Sequence, residues 1–144
     1  MLITKKNQYA LRAIYELAKQ QGTGPVKISH IAEVQAIPER FLEVILGQLR
    51  KSGFVQSKRG YQGGYVLVPP PDKLTVGDVM RYLQKDEDLT ACMAPIPDSK
   101  CPFQGGCAFY PMWKGIRDAM FKVFDGTTIQ DLLNNQPSDG RYPM

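Results

Sequence analysis

Residues 37–68 read IPERFLEVILGQLRKSGFVQSKRGYQGGYVLV, and this stretch decides the fold. Pro38 suits the start of a helix and Gly53 its end, so the first half predicts one helix. The second half places two β-prone runs on either side of a glycine-rich turn, which predicts a tight hairpin with Lys58 and Arg59 at its tip. A helix followed directly by a basic hairpin is typical of a winged helix-turn-helix.

The residues before this stretch supply the other helices of the module. A first helix is predicted from the apolar face of YALRAIYELA, residues 9–18, with Thr4 as its cap. Ser29 is predicted to open a second, short helix, which cannot pass Pro38 because proline breaks a helix interior. The order of these elements predicts a mainly α chain with a small β-wing. In that fold the third helix enters the major groove of DNA and the hairpin contacts the backbone or minor groove.

The third predicted helix has an apolar face and a polar stripe. The residues predicted to face inward are Phe41, Leu42, Ile45, Leu46 and Leu49. The stripe on the opposite face, spaced by three or four residues, consists of Arg40, Glu43, Gly47 and Lys51. A carboxylate such as Glu43 repels phosphates unless it accepts a hydrogen bond from a cytosine amino group, so we expect it to penalise wrong sites. The candidate DNA contacts are Arg40, Glu43, Lys58, Arg59 and Ser29.

The charge distribution favours an anionic polymer as the partner of the first half of the chain. The 144 residues carry a net charge of +4. Residues 1–68 hold ten Lys and Arg against four Asp and Glu, whereas residues 69–144 hold eight against ten. A solvated basic surface is the alternative. The N-terminal residues contain frequent charges and no long apolar run, which predicts no secretory signal, no membrane association and a cytoplasmic location.

Three consecutive prolines, Pro69–Pro71, predict a boundary between two parts of the chain. We expect a winged helix-turn-helix domain over residues 1–71, a cysteine loop with further helices over 72–135, and a flexible tail over 136–144. An apolar stripe at helical spacing predicts a long helix after the cysteines, through Phe109, Met112, Trp113, Ile116, Met120, Val123 and Phe124. This stripe packs either on its own domain or on a second copy, and reading two half-sites of DNA favours a homodimer.

All three cysteines, Cys92, Cys101 and Cys107, fall within sixteen residues of a segment rich in Pro and Gly. In a reducing compartment, an odd and clustered set of thiols favours a metal or redox site over disulfides. A structural zinc site closes with four Cys or His, and the chain has no fourth thiol, so an iron–sulfur cluster is the better fit. Three metal-free cysteines remain the alternative. A thiol enzyme would need an activated thiolate with a base nearby, and of His, Lys and Arg only Lys100 lies in the loop.

Together these features resemble the iron–sulfur-responsive transcription regulators of the IscR and NsrR type, with the IscR-like branch more similar. The resemblance rests on YALRAIYELA, IPERFLEVILGQLRKSGFV, SKRGYQGGYVL and the three cysteines ahead of a helix containing Trp113, and it extends to about Asn135. It implies that Arg40, Glu43 and Arg59 contact DNA. It also implies that the cysteines hold one cluster per subunit, either 2Fe–2S or 4Fe–4S.

The chain departs from the family pattern in two places. Eight residues separate Cys92 from Cys101, where relatives commonly have fewer. Tyr110 stands three residues after the third cysteine, where IscR-like proteins have a histidine. The fourth ligand is therefore open between Tyr110, a carboxylate such as Asp98, and a residue from the partner subunit's first helix, where this chain has Gln8.

The resemblance implies a homodimeric repressor or dual regulator that binds operator DNA and is controlled by a labile cluster. Its expected targets are the genes of iron–sulfur cluster biogenesis, and no small-molecule substrate is expected. A nitric-oxide- or redox-sensing repressor of the NsrR type is the alternative. A cluster-free DNA-binding regulator and a thiol enzyme are the remaining interpretations.

Overall fold

The computed structural model describes residues 3–84, 101–103 and 105–135 and places six helices and two strands in them. The helices are α1 (Lys5–Lys19), α2 (Ile28–Val34), α3 (Glu39–Ser52), α4 (Val76–Leu83), α5 (Tyr110–Asp125) and α6 (Ile129–Asn134), and the strands are β1 (Val55–Lys58) and β2 (Gly64–Leu67). The prediction of a mainly α chain with a small β-wing is confirmed. Cys92, Asp98, Lys100 and the predicted tail over 136–144 lie outside the described residues.

The helix ends follow local signals in the sequence. The Thr4 hydroxyl accepts a hydrogen bond from the Asn7 amide at 3.2 Å, and Gly53 ends α3 with a left-handed φ of 86°. The prediction that Ser29 opens the second helix ahead of His30 is wrong, because the helix begins two residues earlier, after Lys27. The carbonyl of Lys27 already accepts the amides of the first turn, at 3.1 Å from His30 and 3.2 Å from Ile31. Ser29 therefore lies inside the first turn of α2, which begins at Ile28.

One hydrophobic core joins elements from both halves of the chain. The fully buried side chains of α1 and α3 include Ile14, Leu17, Leu42, Leu46 and Leu49. Leu74, Val79, Leu83 and Ile129, which follow the three prolines in sequence, belong to the same core. The domain boundary at residue 71 stays a prediction. What the shared core establishes is that α4 and α6 pack onto the module that contains α3.

The wing is fixed to the segment before α2. Its strands pair antiparallel, with Val55 opposite Leu67 and Lys58 opposite Gly64. The backbones of Val26 and Tyr65 exchange two hydrogen bonds of 2.9 and 2.8 Å, which form an isolated antiparallel bridge at the edge of the wing. The Gly64 backbone approaches this edge so closely that a β-carbon on it would lie 2.4 Å from the Val26 carbonyl oxygen. Glycine is therefore required at this contact.

The C-terminal end of α5 is fixed to α4. The Arg81 guanidinium donates two hydrogen bonds of 2.6 Å to the Asp125 carboxylate and lies 4.6 Å from the centroid of the Phe121 ring. The hydrogen bond from Arg81 lowers the pKa of the Asp125 carboxyl. Gly77 leaves room for the pair, since a β-carbon there would lie 1.8 Å from an Asp125 oxygen. We call this arrangement the Arg81–Asp125 fork.

None of the described helices is long and apolar enough to cross a membrane. The longest of them, α5, is amphipathic and carries charged residues throughout its length.

Replacing Gly64 by Ala should destabilise the protein, because the new methyl group collides with the Val26 carbonyl and pushes β2 away from it. We expect the free energy of unfolding to fall by about 1–3 kcal/mol, measured by urea denaturation of both proteins. Gly115→Ala is the matched control, because a β-carbon at Gly115 meets nothing within 4 Å. Equal stability of Gly64→Ala and the wild type would contradict the role of this contact.

Candidate nucleic-acid interface and cysteine loop

The face of α3 that turns away from the core is the candidate DNA-reading surface. Arg40, Glu43 and Lys51 are exposed on it, as the spacing predicts. The prediction that Phe41 faces inward is wrong, because its side chain is 50% exposed and lies under the Arg40 guanidinium, 5.3 Å from ring centroid to carbon. Val44 is 62% exposed in the middle of the same face. Sequence reasoning placed Val44 neither in the core nor on the stripe, although its position one helical turn after Arg40 could have located it on this face.

The wing and the start of α2 adjoin this surface. Lys58 ends β1, Arg59 begins the turn, and both are exposed, as is Ser29 in the first turn of α2. The Lys27 ammonium group lies 5.2 Å from the centroid of the exposed Tyr61 ring, so the wing turn contacts the start of α2. These positions form one exposed basic region, with Glu43 as an exposed carboxylate on α3 beside it. The roles of Arg40, Glu43, Lys58, Arg59 and Ser29 in DNA binding stay predictions.

A buried carboxylate holds α2 and its following turn on α1. Glu16 is only 1% exposed, and the Gln35 side-chain amide donates to it at 3.0 Å. His30 and Lys19 each approach Glu16 at 3.5 Å, and Arg12 donates to the Gln35 carbonyl oxygen. Burial acts to raise the pKa of Glu16, but the Gln35 hydrogen bond and the Lys19 charge outweigh it, so that the pKa is lowered. Glu16 is therefore ionised at neutral pH and positions the short helix that precedes α3.

The two described cysteines lie in the turn segment that leads into α5. Cys101 and Cys107 are partly exposed free thiols, and the Cys107 carbonyl oxygen accepts the amide of Tyr110 at 3.3 Å. Cys92, the third predicted ligand, is outside the described residues. Within residues 3–84, 101–103 and 105–135, no three Cys, His, Asp or Glu side chains are grouped for a metal ion. Two accessible thiols on one turn-rich loop fit the donor chemistry of an iron–sulfur cluster.

Two candidates for the fourth ligand are described by the structure. Tyr110 is the first residue of α5, is 38% exposed and follows Cys107 by three residues. Gln8 is exposed on the first half of α1, which leaves it accessible to another subunit. The choice between Tyr110, Asp98 and the partner subunit's first helix stays open.

The apolar stripe of α5 is exposed in the single chain. None of the residues of α5 is fully buried. The exposed members of the stripe are Phe109 at 63%, Met112 at 48%, Ile116 at 43% and Val123 at 65%. The fork side chains Phe121 and Asp125 lie on a different face, which packs on α4. Trp113, Met120 and Phe124 are partly buried, so the exposed members form the part of the stripe that is accessible to a partner.

A helix-turn-helix with a basic wing and an exposed third helix defines a DNA-binding regulator of transcription. The chain belongs to the Rrf2 family, because the model of that family, described as iron-dependent transcriptional regulator, matches residues 3–135. This assignment confirms the predicted resemblance to regulators of the IscR type. Members of this class regulate transcription and are not enzymes.

Relatives of two kinds cover nearly the whole chain. The HTH-type transcriptional regulator CymR of Bacillus subtilis is 38% identical over 93% of this chain and 91% of its own length. Its solved structure, described as the global cysteine regulator of that organism, matches with a TM-score of 0.74. The HTH-type transcriptional regulator IscR of Enterobacter sp. (strain 638) is 34% identical over 94% of this chain and 82% of its own. The structure of T. potens IscR matches with a TM-score of 0.77 at 29% identity, over 99% of this chain and 93% of the other.

Replacing Arg59 by Ala should weaken binding to operator DNA and reduce its dependence on salt. If Arg59 neutralises one phosphate, the slope of log affinity against log salt concentration should fall by about one unit. Fluorescence anisotropy across a salt series measures both quantities. Lys73→Ala removes an exposed cation outside the wing and should leave them unchanged. An Arg59→Ala protein with the wild-type slope and affinity would contradict the assigned contact.

Proposed function

We propose that the chain is a homodimeric, cytoplasmic regulator, a repressor or dual regulator, whose operator affinity is controlled by an iron–sulfur cluster held by Cys92, Cys101 and Cys107. The observation that carries the proposal is the pair of accessible thiols, Cys101 and Cys107, on the segment that runs directly into α5. The IscR relatives support the same reading. The proposed targets are genes of iron–sulfur cluster biogenesis. The cluster would supply a labile group whose gain or loss signals the supply of iron and sulfide.

The exposed stripe of α5 supports a second copy of this chain as the partner. Met112, Ile116 and Val123 lie at helical spacing on a face that the single chain leaves in water. Two identical stripes can pack against each other around a two-fold axis, and a dimer of helix-turn-helix modules reads two half-sites of a pseudo-palindromic operator. Burial of these side chains is the driving force for association.

The position of α5 suggests how the cysteine segment influences DNA binding. The segment leads into the N-terminal end of α5, and the Arg81–Asp125 fork fixes the other end to α4. α4 and α6 belong to the core that also holds α1 and α3. A change in how the cysteine segment packs therefore alters the angle between the two α5 helices and the spacing of the two α3 helices. The change in the free energy of DNA binding cannot exceed the difference in the free energy of cluster binding between the two arrangements.

A second candidate is a cluster-free regulator, and the match to a cysteine regulator favours cysteine supply as its signal. CymR of Bacillus subtilis is 38% identical to this chain and is described as a cysteine regulator. Tyr110 stands where the IscR-like pattern has histidine. The chain therefore lacks the fourth ligand of the IscR-like pattern, and this lack favours a regulator without a cluster. In this candidate, the cysteines are free thiols and operator affinity responds to a signal of cysteine supply. A nitric-oxide-sensing repressor differs from both, because nitric oxide would release its operator.

Anaerobic purification should yield a brown protein that contains iron and acid-labile sulfide. Thiolate-to-iron absorption bands in the visible range should weaken strongly in Cys107→Ala, because that variant lacks one proposed ligand. The measurement is an ultraviolet–visible spectrum with iron and sulfide analysis of both proteins. Tyr110→Phe in the same series tests Tyr110 as the fourth ligand, since a ligand hydroxyl would be lost without a change in ring packing.

A wild-type protein that remains colourless after anaerobic reconstitution with iron and sulfide would contradict cluster control and favour the cluster-free candidate. A Cys107→Ala protein with the wild-type spectrum would contradict the ligand assignment. A protein that contains zinc and no sulfide would show that the cysteines form a zinc site and not an iron–sulfur cluster.

Replacing Ile116 by Glu should prevent dimer formation, because it places two carboxylates in an apolar interface at the two-fold contact. Sedimentation analysis should give a monomer that still unfolds cooperatively. Lys122→Glu introduces the same group on α5 outside the stripe and should remain dimeric. A dimeric Ile116→Glu protein would contradict the assignment of the stripe.

A further inference from the structure

The exposed valine in the middle of the DNA-reading face has no explanation inside the protein. Val44 is 62% exposed between the charged residues Arg40, Glu43 and Lys51. Isolated exposed apolar residues are common. Val44, however, lies on α3, the helix that a winged helix-turn-helix directs at the base edges of DNA. It lies in the middle of the exposed face of that helix rather than at its border.

Gly47, one turn beyond Val44, is a second unexplained residue of the same face. A β-carbon built at Gly47 meets nothing within 4 Å, so internal packing does not require glycine there. Glycine in the middle of a helix is also unfavourable relative to alanine. A glycine with open space above it and a cost to the helix is explained when another molecule approaches the backbone at that point.

We infer that Val44 and Gly47 form an apolar notch that recognises the 5-methyl group of thymine in the major groove. Valine has no hydrogen-bond donor or acceptor, and the thymine methyl group is the apolar feature that the major-groove edges of the four common bases display. The missing side chain at Gly47 lets the base edge approach α3 next to Val44. Arg40 and Lys51 are exposed on the same face of α3, together with the carboxylate Glu43, and cations beside the notch suit a nucleic-acid partner. The inference rests on the proposed contact between α3 and operator DNA.

The chemistry gives a test at the level of one methyl group. An operator duplex is first selected from randomised sequences with wild-type protein purified anaerobically, and each thymine is then replaced singly by deoxyuridine. At one thymine in each half-site, the loss of the methyl group should weaken binding by about fourfold, which corresponds to about 0.8 kcal/mol. Val44→Ala should bind the thymine and deoxyuridine duplexes equally. Val68→Ala, which shortens an exposed valine at the end of the wing away from its turn, should keep the wild-type discrimination.

Gly47 provides a second readout in which stability and affinity change in opposite directions. Gly47→Ala should raise the Tm by about 2–4 °C, because alanine favours the helix and meets open space. It should weaken operator binding by about tenfold, because the methyl group fills the notch. Gly115→Ala has the same open space on α5 and should raise the Tm while keeping the operator affinity within about twofold.

Several results would overturn the inference while leaving the DNA-binding function intact. These are a wild-type protein indifferent to every deoxyuridine substitution, a selected half-site without thymine, an unaltered discrimination in Val44→Ala, or full affinity in Gly47→Ala. A wild-type protein that selects no sequence at all would overturn the proposed function itself, and the inference with it.

Discussion

The packing of α3 against α1 is the constraint on which the rest of the structure depends. Leu42, Leu46 and Leu49 are fully buried against a set of α1 side chains that is equally buried. Because this face of α3 is fixed in the core, the opposite face must lie outward, and everything proposed for DNA recognition follows from that orientation. The buried Glu16 on α1 reinforces this orientation. It accepts a hydrogen bond from Gln35 and so holds the turn between α2 and α3 against α1.

The same core also determines where the second functional region can lie. Leu74 and Ile129 join it from beyond the three prolines, and the Arg81–Asp125 fork then sets the direction in which α5 leaves α4. The helix α5, which follows Cys101 and Cys107, is therefore joined to the core that holds α3 through these packed contacts. An exposed ion pair contributes little stability on average. The bidentate Arg81–Asp125 pair, stacked on Phe121, matters chiefly because it fixes the angle between α4 and α5.

Much of the fold could be predicted from local sequence signals, because caps and turns depend on neighbouring residues. Thr4, which accepts the Asn7 amide, and Gly53, whose amide donates to the Arg50 carbonyl, are examples, and each contacts a residue three positions away. Contacts between distant residues could not be predicted in this way: Gln35 bonds Glu16 across 19 residues, and Arg81 bonds Asp125 across 44. Phe41 was assigned to the core and Val44 was overlooked for one reason. Residue type predicts burial on average, whereas a face that binds another molecule also exposes apolar groups. For the cysteine site, the sequence names three thiols, and the structure describes two of them.

Control of the affinity of α3 for DNA by the state of the cysteine segment is what we propose for this protein. Its most direct test is to measure operator binding anaerobically with one protein preparation before and after removal of its iron and sulfide, with the dimer verified in both states. We expect the operator Kd to change by about tenfold, within the usual range of coupling between two sites. The same Kd for the loaded and stripped dimers would contradict it.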